Sequence, residues 1–144
     1  ARLLLTLGLY NEAEISIKDY LKRVPESGPG HFILANIYAV RGKHEQALRE
    51  YNQAGDGTKL KAEAHNNRAL IFIKKNLFDQ ALKELNQATT VSPNLPDAHY
   101  NLGNLLIQTN GDLIKARWHL EQALKYATNQ EITNRIIRAL NTLS

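Results

Sequence analysis

Apolar residues recur at helical spacing along nearly the whole chain. From Phe78 to Val91, the residues Ala81, Leu82, Leu85, Ala88 and Val91 fall on one face at a 3.6-residue period. Asp79 stands in the first turn, and neither Gly nor Pro interrupts the run. No segment sustains the period-two alternation of a strand. The pattern predicts helices over about residues 1–7, 11–24, 30–41, 44–54, 61–75, 78–91, 96–109, 113–127 and 130–143. In the last of these, Ile132, Ile136, Ile137 and Leu140 form an apolar face, with Asn134, Arg135, Arg138 and Asn141 left for water.

The pattern repeats. Ala13, Ala47, Ala81 and Ala116 lie 34, 34 and 35 residues apart, and Ala1, Ala35, Ala69 and Gly103 keep the same step of 34. His31, His65 and His99 do likewise, as do Tyr38, Phe72 and Leu106. Gly8, Gly42, Asn76 and Asn110 share this register. Gly and Asn tolerate the left-handed backbone that ends a helix, so each is expected to mark a turn between two helices. Pro25 and Pro93 stand two periods apart, where one unit gives way to the next. A helix pair of this size cannot bury its apolar stripe alone, so the pairs are expected to stack as an all-α solenoid with a continuous core.

These landmarks resemble the tetratricopeptide pattern W-x2-L-G-x2-Y, then A-x3-F, then P. One unit reads His31-x2-Leu34-Ala35-x2-Tyr38 with Ala47-x3-Tyr51. The next reads His65-x2-Arg68-Ala69-x2-Phe72 with Ala81-x3-Leu85 and Pro93, and the last His99-x2-Leu102-Gly103-x2-Leu106 with Ala116-x3-Leu120. At the start only Ala13-x3-Ile17 and Pro25 match, which is the second half of a unit. The copy departs from the pattern where His replaces Trp, Arg68 replaces Leu and Lys59 replaces Pro, and where Asn110-Gly111 absorbs one extra residue. The resemblance implies a right-handed superhelical solenoid of antiparallel helix pairs. Its parts would be a half unit at 1–27, three units at 28–61, 62–95 and 96–130, and a capping helix at 131–144.

Composition narrows the chemistry. At 144 residues with 43% hydrophobic and 22% charged residues, the chain can bury roughly 70% of its unfolded surface. Zero cysteines exclude disulfides, thiol nucleophiles and iron–sulfur ligation, and leave the compartment open. The longest apolar run, Leu3 to Leu9, is broken by Thr6 and Gly8 and falls short of the ~18 residues that cross a bilayer, so no membrane insertion is expected. A net charge of +4, spread along the chain, is too small to argue for nucleic-acid binding by itself, and none is expected. His44-Glu45 opens like a zinc-protease motif, but Leu48 stands where its second His belongs. No phosphate loop, dinucleotide fingerprint or nucleophile elbow is present, so neither catalysis nor a cofactor is expected. With helices spaced about 8–10 Å apart, stacked units place equivalent residues about 10 Å apart or more. The histidine series is therefore expected to fill the space of the absent Trp rather than to bind metal.

The tetratricopeptide resemblance also implies that the first helix of each pair lines a concave groove for a protein or peptide ligand. Carried over by position, that surface comprises Phe32, Ile33, Asn36, Ala39 and Val40, then Asn66, Asn67, Leu70 and Lys74, then Tyr100, Asn101, Asn104 and Gln108. An Asn amide offers both donors and an acceptor, so such a ladder suits a peptide backbone whatever its side chains, with Phe32, Leu70 and Tyr100 adding apolar contact. Chaperone co-factors of the family hold a terminal carboxylate with paired Lys and Arg. Here Phe32, Glu63, Asp97 and Asn101 occupy the matching positions, which argues against that ligand.

The leading expectation is a non-catalytic scaffold. The alternative is a substrate-recruiting arm of a larger enzyme such as a glycosyltransferase, and the acidic Glu63 and Asp97 argue against the pentatricopeptide mode of RNA binding. The opening Ala1-Arg2-Leu3-Leu4-Leu5 suggests a fragment of a longer protein, and self-association through Leu3, Leu4, Leu5 and Leu7 is expected where their cover is incomplete.

Overall fold

The computed structural model describes residues 2–55 and 57–143, and the side chains of 8–55, 57 and 59–143. Among these residues there are eight helices and no strand. They are α1 (Arg2–Arg23), α2 (Gly28–Val40), α3 (His44–Asn52), α4 (Thr58–Lys74), α5 (Phe78–Val91), α6 (Pro96–Gln108), α7 (Leu113–Tyr126) and α8 (Gln130–Asn141).

Three of the predicted turns form as their residues dictate. Gly42, Asn76 and Asn110 take positive φ of 76°, 58° and 54°. The amide after each reaches back five residues: Lys43 to the Tyr38 carbonyl at 2.8 Å, Leu77 to Phe72 at 2.8 Å and Gly111 to Leu106 at 2.7 Å. This closure satisfies carbonyls that the helix end leaves orphaned. Gly8 behaves differently. It lies inside α1, so the two helices expected over 1–7 and 11–24 are one. Glycine permits a left-handed turn but does not impose one, and no side chain or backbone crowds this site to force a bend.

Helix starts follow their caps. Ser27 Oγ accepts the Gly30 amide ahead of α2, Asp112 Oδ1 accepts the amides of Ile114 and Lys115 ahead of α7, and Asn129 Oδ1 accepts that of Ile132 ahead of α8. Lys59, standing where the repeat would carry Pro, lies in the first turn of α4, so that helix begins earlier than the pattern predicts.

The chain packs as two compact units, Ala1–Ala64 and His65–Ser144. In the first, Leu34, Ala35, Ile37 and Tyr38 of α2 are buried, as are Ala47 and Tyr51 of α3. Glu14 of α1 is buried too, held by Lys18 at 2.6 Å and by Arg41 at the end of α2. The hydrogen bond from Lys18 keeps the Glu14 carboxyl below the usual value and raises the ammonium of Lys18 in turn. Ala13, the first member of its series, is only partly buried. Leu3, Leu4, Leu5 and Leu7, on which the expectation of self-association rests, lie outside the described side chains.

In the second unit, Ala69, Ala81, Leu85, Leu102 and Leu105 form one apolar cluster, and Leu120, Ala123, Ile136 and Ala139 form another. Small residues set the helix spacing: a Cβ on Gly103 would lie 2.8 Å from Leu120 Cγ and 3.1 Å from the Ala116 carbonyl. In α8, Ile136 is fully buried, whereas Ile137 is 42% exposed and leaves the apolar face on which the sequence pattern placed it.

Candidate binding pocket

Within the second unit, α4, α6 and α8 line an open pocket of about 430 Å³, a size ordinary for ligand sites. Helix α4 supplies Asn66, Asn67 and Leu70, and α6 supplies Asp97, Tyr100 and Asn101. The third wall is Asn129, with Glu131, Ile132 and Arg135 of α8. Residues 66, 67 and 70 share one face of α4 by the i, i+3, i+4 rule, and residues 97, 100 and 101 share one face of α6.

The amides are organised against each other. Asn101 Nδ2 donates to Asn66 Oδ1 at 2.8 Å, which ties α6 to α4, and Asn66 Nδ2 approaches Asn67 Oδ1 at 3.4 Å. Asn66 is buried, so the first bond fixes its orientation. Across the pocket, Arg135 Nη2 donates to Glu131 Oε1 at 2.8 Å. Tyr100 and Ile132 both pack on the Leu120–Ile136 cluster while lining the pocket, so its apolar wall is anchored in the core.

Of the groove residues read from the sequence, Asn66, Asn67, Leu70, Tyr100 and Asn101 come together here. Lys74, Asn104 and Gln108 of the same unit do not line the pocket. The others belong to the first unit. There Asn36 Oδ1 accepts the Tyr51 hydroxyl at 2.5 Å, and the Phe32 ring sits edge-on to Tyr51 with centroids 5.8 Å apart. Ile33 and Val40 are exposed. Sequence reasoning missed the wall from α8, because Asn129, Glu131 and Arg135 look like the solvated face of a capping helix. Only the fold shows that this face turns toward α4 and α6.

The histidine series has a role that packing alone did not suggest. His31 Nε2 donates to the Pro25 carbonyl at 2.8 Å, and its Nδ1 lies 2.6 Å from Glu50 Oε2. His65 Nδ1 meets Glu84 Oε2 at 2.6 Å, and Arg68 reaches the other oxygen of Glu84 at 3.2 Å, so the odd charge at position 68 has its partner. His99 Nε2 donates to the Pro93 carbonyl at 2.7 Å, but its Nδ1 faces His119 Nδ1 at 3.0 Å. Glu50, Glu84 and His119 are themselves one repeat apart.

The two ends of this series titrate in opposite directions. Burial pulls His31 down, but the bonds to Glu50 and Pro25 outweigh it and hold the imidazole above its usual value. Burial lowers His99, and burial with the neighbouring His99 and Lys115 pushes His119 down to about 4. The ring nitrogens explain the difference. His99 Nε2 must carry hydrogen to donate to a carbonyl, so in the neutral ring Nδ1 accepts from His119 Nδ1–H. A proton on His99 Nδ1 would break that bond. Among the described residues no three His, Asp or Glu side chains gather as a metal site, and no helix is long and apolar enough to cross a membrane.

Helix pairs closed by left-handed turns at one period, with a pocket lined by the first helices of successive pairs, define an all-α helical-repeat protein. Comparison with known proteins narrows this. Tetratricopeptide family models match residues 1–59, described as tetratricopeptide repeat, and residues 69–110, described as TPR repeat. The chain belongs to the tetratricopeptide-repeat family. A thermophilic TPR protein of Thermus thermophilus superposes with a TM-score of 0.74 at 26% identity, over 97% of this chain and 77% of that one. BtubC of P. vanneervenii gives 0.79 at 20% identity, over 99% and 68%. PilF of Pseudomonas aeruginosa gives 0.73 at 22%, over 96% of this chain and 63% of that one. At such identities the last two likenesses speak for the fold alone. No curated protein sequence matches the chain.

Proposed function

We propose that this chain binds an extended segment of a partner protein, and that the segment lies against Asn66, Asn67, Leu70, Tyr100 and Asn101. Its family supports this reading, since tetratricopeptide repeats generally mediate protein–protein interaction and the fold is typically a non-catalytic scaffold. In this reading a half unit at 1–27 is followed by repeats at 28–61, 62–95 and 96–130, with α8 (Gln130–Asn141) closing the last.

The observation that carries this reading is the Asn101–Asn66 bond on the wall of a 430 Å³ pocket. Preorganised amides bind a peptide backbone without first losing the entropy of their own side chains. With its Nδ2 committed to Asn66, Asn101 keeps a carbonyl oxygen for a peptide N–H. Leu70, Tyr100 and Ile132 supply apolar area, which distinguishes side chains where the amides do not.

Panning a phage-displayed random peptide library against the folded chain tests it. Wild type should enrich a family of related sequences, and the double variant Asn67→Ala/Asn101→Ala, checked for unchanged helicity, should lose that enrichment. Equal enrichment by both would move binding to another face.

A further inference from the structure

The pocket has the opposite sign of charge to the chain. The chain carries +4, whereas the charged groups on the pocket wall are Asp97, Glu131 and Arg135. Arg135 is paired with Glu131 at 2.8 Å, which leaves Asp97 as the uncompensated charge. No ion pair or side-chain hydrogen bond joins Asp97 to another of the described residues. It stands in the first turn of α6, where the helix N-terminus favours a carboxylate and Pro96 has no amide to compete for it. Beside it on the same wall are the Tyr100 ring and the Asn101 amide, and opposite lies Ile132.

We propose that this pocket takes an arginine side chain of the bound segment, a specificity that rests on the peptide-binding reading above. A guanidinium is planar, carries five donors, is more weakly hydrated than an ammonium and stacks on aromatic faces. The wall answers each property. Asp97 offers a carboxylate for a forked, charge-assisted pair, Asn101 offers a carbonyl, Tyr100 a ring face, and Leu70 with Ile132 a channel for the methylene stem. A lysine would find the charge of Asp97 but leave the ring face and the second acceptor unused. An acidic side chain would meet Asp97 and Glu131 and be repelled.

The test is fluorescence polarisation of the whole chain with four pools of labelled heptapeptides, randomised at the flanks and carrying Arg, Lys, Gln or Glu at the centre. The Arg pool should bind most tightly and the Glu pool least. Asp97→Asn should cut the Arg-over-Gln preference by about three- to tenfold, the range expected of a charge-assisted bond partly screened by water. Arg135→Gln, which releases Glu131, should raise the same preference. Higher salt should lower it. Helicity and Trp118 emission report whether each variant is folded.

If Asn67→Ala/Asn101→Ala weakens every pool while Asp97→Asn leaves the preference for Arg intact, the arginine assignment is overturned and the peptide reading stands. Equal binding of the Lys and Arg pools also overturns it, in favour of a site for any cation. Binding of no pool overturns both.

Discussion

Glu84 shows how much one side chain can hold. It is buried, it accepts His65 at 2.6 Å and it faces Arg68 at 3.2 Å. Glu84→Gln removes the charge with little change of shape and strands two largely buried partners, so denaturant unfolding should show a loss of about 2–4 kcal/mol. Glu131→Gln breaks an exposed i, i+4 pair with Arg135 and should cost less than about 0.5 kcal/mol. His119 contributes to the pH dependence on the acid side. Its folded-state value, about 4, lies below the ~6.5 of an unfolded histidine. The unfolded chain therefore binds the proton first, and stability that is full above about 6.5 is lost as pH falls toward 4. His31 is raised, so its contribution is full below about 6.5 and is lost as pH climbs through its folded value. Trp118 touches both His99 and His119, with ring centroids 5.9 and 4.9 Å away, so its emission reads the acid transition directly. His119→Glu gives His99 the kind of partner His65 has, and should shrink the fall in melting temperature between pH 6.5 and 4. An unchanged fall would remove this pair as its cause. The histidine period was plain in the sequence, but its partners 19 or 20 residues on were not, because an isolated Glu or His on a second helix looks like a solvated residue.

At the scale of the element, identical residue types gave different outcomes for a physical reason. Gly42, Asn76 and Asn110 form the turns that residue type and register predicted, and in each the next amide closes on the carbonyl five positions back. Gly8 shares their register and lies within a 22-residue helix. Register alone could not tell the two cases apart. A Cβ at Gly8 would meet nothing within 4 Å, so Gly8→Ala should stabilise the chain by about 0.5–1 kcal/mol by restricting the unfolded backbone. Destabilisation would mean that α1 is broken there after all. Gly103→Ala tests the opposite case. Its Cβ would press on Leu120 and the Ala116 carbonyl, and thermal melts should show a loss of about 1–3 kcal/mol as α6 and α7 are forced apart.

For the molecule as a whole, a 34-residue period was enough to foresee a helical-repeat fold, since small residues at fixed spacing are what let paired helices approach. The pocket was half legible. Residues on α4 and α6 followed from their position in the repeat, whereas the wall from α8 depends on how the last helix returns across its neighbours, which no periodicity encodes. Of the pocket's charged groups, Asp97 followed from its position in the repeat, whereas Glu131 and Arg135 emerge only in three dimensions. The central claim, that the amides of this pocket grip a peptide, is tested most directly by nuclear magnetic resonance. The measurement is a titration of the nitrogen-15-labelled chain with the tightest peptide from panning, following the side-chain NH2 signals of Asn66, Asn67 and Asn101. The account predicts saturable shifts in these signals, with those of Gln53 and Asn86, which do not line the pocket, unmoved. Saturable shifts elsewhere, with the three pocket asparagines unchanged, would contradict it.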